Sequence, residues 1–485
     1  GGTIKLDGNY PVGSGNVALG DSAGDALASG GNLNTFIGSV SGSAVSTGDN
    51  NTSVGAYSLD AATGASNTAV GSGSLGSSSN SADNNTAVGF DAMNATTSGA
   101  SNVAVGVQAL LSNTTASENV AVGYQALYDN TTGEKNTAVG TAALTNNTTA
   151  SNNSAFGREA LKYNTTGASN VAVGREALVS NTTASNNTAV GYQAGYSNTT
   201  GAKLTAVGYQ AAYSNTTASQ NTAIGYSVLS FNSTGTYNVA VGGESSSGTT
   251  LNVNTTGSYN TAVGMGALKS NTTASNNTAV GYQAGYLNTT GAENTAVGYV
   301  SMYSNTTGSY NTAYGRSSLP VNQGGLYNTA VGWGSLNFTN ASHNTTVGYK
   351  AGYNNTTGSW TTAFGVNAAL NNTTAPFNCA FGGESLYSNT TGANNIAVGQ
   401  NALYSNTTAG DNTAVGYQAG YSRTGSGNTC VGNYSGRDGT SGTDNTFVGR
   451  NSGYTITSGS KNTIIGMYNG NQHGLDIRTS SNNIV

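Results

Sequence analysis

The sequence predicts an all-β protein, a parallel β-solenoid or β-roll of about 27 coils, on three observations. First, one short unit recurs along nearly the whole chain, beginning at Asn102, Asn119, Asn136, Asn153, Asn170 and Asn187 in steps of 17 residues. Second, the fourth residue of each unit is always apolar or aromatic, and the fifth is always glycine. Third, an Asn-Thr-Thr cluster and frequent glycine close each unit, which leaves no window of good helix formers.

In chain order, residues 1–15 precede the repeat, with Thr3 to Leu6 as a short entry strand that Pro11 stops. The first units begin at Asn16, Asn34, Asn51, Asn67 and Asn85, and their spacing wobbles before it settles. Repeats run from 16 to 470. The interval from Asn238 to Asn260 is stretched to 22 residues and predicts a surface bulge within 244–253. Residues 471–485, with Gly474 to Arg478, read as an exit segment into a following module. The absence of a starting Met and of a closing cap reads as cuts in a longer polypeptide. At about 4.8 Å per coil the stack would be a rod on the order of 130 Å long.

Counting the Asn as position 1, strands are expected at positions 2–4 and 6–10, with a polar turn at 11–17. Side chains alternate along a strand. The charge-free position 4 is therefore taken as the buried ladder (Val105, Val122, Val139, Val190, Val280), facing Leu110, Leu127 and Leu386 at position 9. Asn at position 1 would stack as an amide ladder. On this assignment Val190→Asp breaks the rod by burying a charge, and Thr199→Ala is almost silent. Pro320 and Pro376 fall outside the first strand, and Arg158, Glu159, Arg175 and Glu176 sit at positions 6 and 7.

Charged residues are 7% of the chain and the net charge is −5, so no basic patch for nucleic acid exists. No apolar run reaches the roughly 20 residues of a membrane span. Cys379 and Cys430 lie three coils apart, roughly 14 Å on a 4.8 Å rise, so both are expected free and buried. Nothing points to a cofactor or to catalysis. His343 and His473 stand apart without a ligand set, no Asp-rich calcium loop occurs, and a polysaccharide depolymerase would need paired carboxylates that the scattered acids do not supply.

Two rows remain as candidate contact sites. Asn-x-Ser/Thr sequons at position 12, among them Asn113, Asn130, Asn164, Asn198, Asn215, Asn271, Asn305, Asn389 and Asn406, are read as an exposed edge that could carry sugars, although Asn and Thr also favour turns for their own sake. Tyr192, Tyr209 and Tyr226 form a row able to touch a glycan, or one that packs on itself. Thr rows would suit an ice-binding surface, but position 2 varies (Val103, Val120, Ser154, Cys379).

The unit over residues 187–201, Asn-Thr-Ala-Val-Gly-Tyr-Gln-Ala-Gly-Tyr-Ser-Asn-Thr-Thr-Gly, resembles repeats of bacteriophage tail-fibre proteins. The opening from Gly2 to Pro11 and the closing run from Gly474 to Thr479 resemble segments that flank such repeats. More distantly the unit is similar to the Asn-Ser-Val-Ala-Ile-Gly repeats of trimeric autotransporter adhesin heads, which form parallel β-rolls, although the repeat here is longer. The resemblance implies an extended homotrimeric fibre on a virion surface or outside the cell, with a host glycan or receptor as partner. A Gly/Ala-rich surface low in charge would suit contact between chains. The other reading from sequence is a secreted or cell-surface adhesive filament, N-glycosylated or bare.

Overall fold

A computed structural model describes residues 13–27, 31–60, 63–77, 81–243, 248–472 and 474–485. The expected entry strand with Pro11, His473 and part of the expected bulge (244–247) lie outside the described residues. Two compact units, residues 1–238 and 239–485, are each a parallel β-solenoid. In the first, strands β1 (Val17–Leu19) through β13 (Thr222–Ile224) pair in chain order, each with the next. In the second, β14 (Val239–Val241) through β27 (Thr463–Ile465) do the same. Register is strict: Thr188 lies beside Thr205, Ala189 beside Ala206 and Val190 beside Val207.

Among the described residues, each coil from β1 to β27 contains one strand, not two. Positions 2–4 are extended, and positions 6–10 are consecutive turns in which positions 7 and 9 are left-handed, as at Gln193 (φ 52) and Leu178 (φ 48). These turns still bond from coil to coil: Leu178 N–H donates to Ala194 O at 3.0 Å, and Gln193 N–H to Arg175 O at 3.0 Å. The expected strand at 6–10 is corrected accordingly. Alternating handedness produces the same every-second-residue bonding without extended backbone.

The inside and outside of the strand are also the reverse of the expectation. Ala189, with its counterparts Ala104, Ala121, Ala138 and Ala279, is fully buried. Val105 and Val280 are 37% exposed, and Val122, Val139 and Val190 are half-buried on the outer face. Leu110, Leu127 and Leu386 are fully buried. The reason is room. One strand and a train of turns enclose a narrow lumen, which Asn at 1 and 12, Ala at 3 and 8 and Leu at 9 already fill. Val190→Asp therefore puts its charge toward solvent. Thr199→Ala is not silent either, because Thr199 Oγ1 donates to Thr216 O at 3.0 Å in the next coil, a bond worth about 1 kcal/mol.

Size exchange between positions 3 and 9 supports this account. Where position 3 is large, position 9 is glycine. A Cβ on Gly453 would lie 2.6 Å from the Phe447 ring, one on Gly352 would lie 2.9 Å from Thr346 Cγ2, and one on Gly42 would run into Phe36. Interiors are close-packed, so the lumen tolerates one large residue per coil at this level.

In the stretched coil Leu251 and Asn254 are buried at the places of positions 9 and 12, so the extra residues precede Leu251. The exit segment also differs from expectation. A small antiparallel pair, β28 (Asn471–Gln472) with β29 (Leu475–Asp476), interrupts the coil, after which the chain rejoins the stack. Asn483 N–H donates to Asn462 Oδ1 at 3.0 Å, Ile484 bridges to Thr463, and Ile477 is buried. Its polar closing run, Thr479 to Asn483, hid the returning coil.

Candidate functional site

Two side-chain ladders hold the coils together from inside. At position 1, Asn170 Oδ1 accepts the backbone N–H of Asn187 at 2.9 Å, while Asn170 Nδ2 donates to Ala184 O of its own coil at 2.9 Å. This ladder joins side chain mainly to backbone, and the expected amide-to-amide bond is made at some rungs only, as from Asn119 Nδ2 to Asn102 Oδ1 at 3.2 Å. A second amide stack, not expected, lies at position 12. Asn164 Nδ2 donates to Asn147 Oδ1 at 2.9 Å, Asn181 to Asn164 at 2.8 Å, Asn198 to Asn181 at 3.0 Å and Asn215 to Asn198 at 2.8 Å. The second Nδ2 proton is used as well, with Asn198 reaching Gly201 O at 2.8 Å.

These are the sequon asparagines. Asn113, Asn130, Asn164, Asn198, Asn215, Asn271, Asn305, Asn389 and Asn406 are all fully buried, so the exposed glycan edge is corrected. A sugar on Asn198 would take an Nδ2 proton that the ladder uses and would have to occupy the lumen. Thr165, at position 13, is half-exposed, but its hydroxyl bonds the next coil, donating to Thr182 O at 3.0 Å.

Tyr192, Tyr209 and Tyr226 come together as one column. Centroids are 5.3 Å and 4.8 Å apart, with planes within 18° and 9°. Ring faces cover one another, and Arg175 caps the Tyr192 end at 5.7 Å. What the column offers outward is ring edges and phenol groups. Beside it runs an amide chain: Gln210 Nε2 donates to Gln193 Oε1 at 2.8 Å, and Gln193 Nε2 to Glu176 Oε2 at 2.7 Å. The Gln193 amide, helped by Arg175 and opposed by desolvation, holds the Glu176 carboxyl below the usual carboxylate range.

Sequence reasoning passed over a second aromatic column, in the second unit. Tyr310, Tyr327, His343 and Trp360 stack at 4.9, 5.1 and 4.2 Å, each just before position 1 of the next coil, which is Asn for the first three and Thr361 for Trp360. Their shared phase in the repeat was the available signal. His343 is thus held between rings and is not merely solvated. An open groove of about 590 Å³ lies at the C-terminal coil, lined by Asn451, Tyr454, Met467, Tyr468, Asn469 and Gln472. Among the described residues no group of His, Cys, Asp and Glu could hold a metal ion, and no helix is long and apolar enough to cross a membrane.

Both cysteines are free, but only Cys430 is buried. Cys379, at position 2, points outward and is half-exposed, which corrects the expectation of two buried thiols. Beside Cys430 lies Arg423, fully buried at position 12, where most other coils have Asn. Its Nη1 donates to Asn428 Oδ1 at 3.2 Å and Gly442 O at 3.3 Å, while Nε and Nη2 find no oxygen acceptor. Phe447 lies 5.0 Å from the guanidinium, and Gly439 leaves the space that it enters. Burial pulls the Arg423 pKa down and pushes the Cys430 thiol up, the latter against the pull of Arg423. Asn406 Oδ1, which would accept from an Asn in this place, is left without a partner. Arg423→Asn combined with Gly439→Asn is expected to restore the ladder and raise stability by about 2 kcal/mol. Gly439→Asn alone should lower the thermal midpoint, because its Cβ meets the guanidinium. Equal midpoints for single and double variants would contradict this account.

No family model matches the chain, and a search of curated proteins finds no match.

Proposed function

We propose that the chain is the shaft of a phage tail fibre, a stiff spacer that carries a host-attaching tip, built from several copies and most simply a homotrimer. The observation that carries this reading is the uninterrupted coil-to-coil register within each unit, reinforced by the buried Asn ladder. Such bonding suits bearing load along a stack, and quasi-one-dimensional repeats extend to any length. Host-surface glycans are the partner class this reading carries, met by the phenol edges of the Tyr192, Tyr209 and Tyr226 column.

The second reading is a secreted or cell-surface adhesive filament. It has the same mechanical logic, but its N-glycosylated form is disfavoured by the burial of every position-12 acceptor named above. Electron microscopy of native particles labelled with antibody against this chain separates the two. Label on fibres projecting from virions is the expected result, and label on free filaments at a cell surface would replace the first reading with the second.

A further inference from the structure

The outward face of the strands has a composition that exposure to water does not explain. Positions 2 and 4 carry no charged residue in any strand from β1 to β27. Neighbouring outward positions do: Arg158, Glu159 and Arg175 sit at 6 and 7, and Lys135 and Lys203 at 17. Yet the face is open. Val105, Val173, Val280, Val415 and Val448 are each 37% exposed, Phe156 is 42% and Tyr314 is 59%. Columns of half-exposed valine and threonine, continuous over a unit and rimmed by charge, have the character of a contact surface.

The occupant follows from periodicity and area. Charge is excluded along the full run of strands in each unit, so the partner must be equally long, uncharged and matched to a rise of about 4.8 Å per strand. Another copy of this face meets all three conditions without bringing like charges together. Three residues at about 3.3 Å by one strand spacing give a flat footprint of about 50 Å² per coil. For the first unit that amounts to about 600 Å² on each copy, or about 1,200 Å² in a pair, the lower bound for a specific interface.

A column of identical valines would let two copies slip by a coil. Oversized residues at position 4 remove that freedom: Phe156 in the first unit, and Tyr314, Phe364 and Phe381 in the second, the last two stacked at 5.0 Å. Any shift by one coil sets these rings against a different set of valines.

We propose that copies of this chain pack side by side through the outward Thr/Val face of their strands, level coil for coil, with Phe156, Tyr314, Phe364 and Phe381 setting the level. The inference rests on the reading of the fibre as a multi-copy assembly and names the face and register of that assembly. The chain carries its own reporter. Cys379 sits on this face in β22 (Cys379–Phe381), two residues from Phe381, and level packing brings it close to its counterpart, whereas Cys430 is sealed in the lumen.

The test uses the full chain under native conditions, with sedimentation for the oligomeric state and a short bis-maleimide for proximity. The expected result is an oligomer in which Cys379 yields a covalent pair on a denaturing gel, lost in Cys379→Ser. Phe364→Val with Phe381→Val should keep the oligomer but lower the yield of that pair several-fold. Val398→Lys with Val415→Lys should shift the chain toward monomer while circular dichroism shows the coils intact. An oligomer whose Cys379 reacts freely with a bulky maleimide and does not pair overturns the face assigned here and leaves the fibre reading standing. A monomer overturns both this inference and the multi-copy part of that reading.

Discussion

Ala189→Asp should open the stack at its coil, whereas Val190→Asp, one residue further on, should leave that coil folded. Ala189 is fully buried in the lumen beside its equivalents Ala172 and Ala206. An aspartate there finds no cation, and the surrounding amides are already bonded to one another. An uncompensated buried charge costs about 3–5 kcal/mol. Val190 projects from the opposite face of the same strand and is half-buried, so an aspartate there is not enclosed by its own coil and costs below about 1 kcal/mol of coil stability, whatever it does to contacts between copies. Amide hydrogen exchange over residues 171–207 reads the difference directly. Loss of protection in Val190→Asp with retention in Ala189→Asp would return position 4 to the inside.

Gly191→Ala is expected to be nearly as damaging, by about 3 kcal/mol, though it adds one methyl group and no charge. Gly191 has φ 136, a backbone region that only glycine occupies without strain. A Cβ there would also run into the carbonyl of Gly208 in the next coil. That carbonyl cannot retreat, because Gly208 N–H donates to Val190 O at 2.7 Å and holds the two coils at strand spacing. The measurement is a thermal melt of the full chain with limited proteolysis mapping the first cut. A first cut far from residues 187–208, or an unchanged midpoint, would remove the close approach as the reason for glycine at position 5.

Much of the architecture was legible in the residues, and its orientation was not. The step of 17, the strand at 2–4 and the buried leucines at 9 follow from periodicity and turn chemistry, and the structure has each of them. Period-2 alternation separates Thr188 and Val190 from Ala189 but says nothing about which side is the lumen. Valine is the more hydrophobic, which favoured the wrong side. The deciding quantity is lumen volume, visible only as exchange between residues: Phe36 with Gly42, Phe447 with Gly453, Thr346 with Gly352. The missing charge at position 4 was a real pattern but not the mark of a core, since these side chains lie on the outer face of the strands. Sequons misled for a related reason. Asn198-Thr199-Thr200 has the composition of an exposed turn, yet its amide faces inward because the Asn198 Nδ2 protons are met by the amide of Asn181 and the carbonyl of Gly201.

Strict register has a further consequence for how such a chain can change over generations. Removing residues 187–203 would set Leu204 above Asn170, and the backbone N–H of Leu204, which now donates to Asn187 Oδ1 at 2.8 Å, would meet an identical acceptor. Asn215 would follow Asn181 in the amide ladder, and Thr205 would pair with Val171, a combination of types already present where Val171 meets Thr188. Loss or duplication of one whole coil thus preserves these ladder bonds, while a residue more or less must be absorbed in a turn, as in the 16-residue coil across which Asn344 N–H still donates to Asn328 Oδ1 at 3.0 Å. The number of coils within a unit can therefore change in steps of one without refolding the coils on either side.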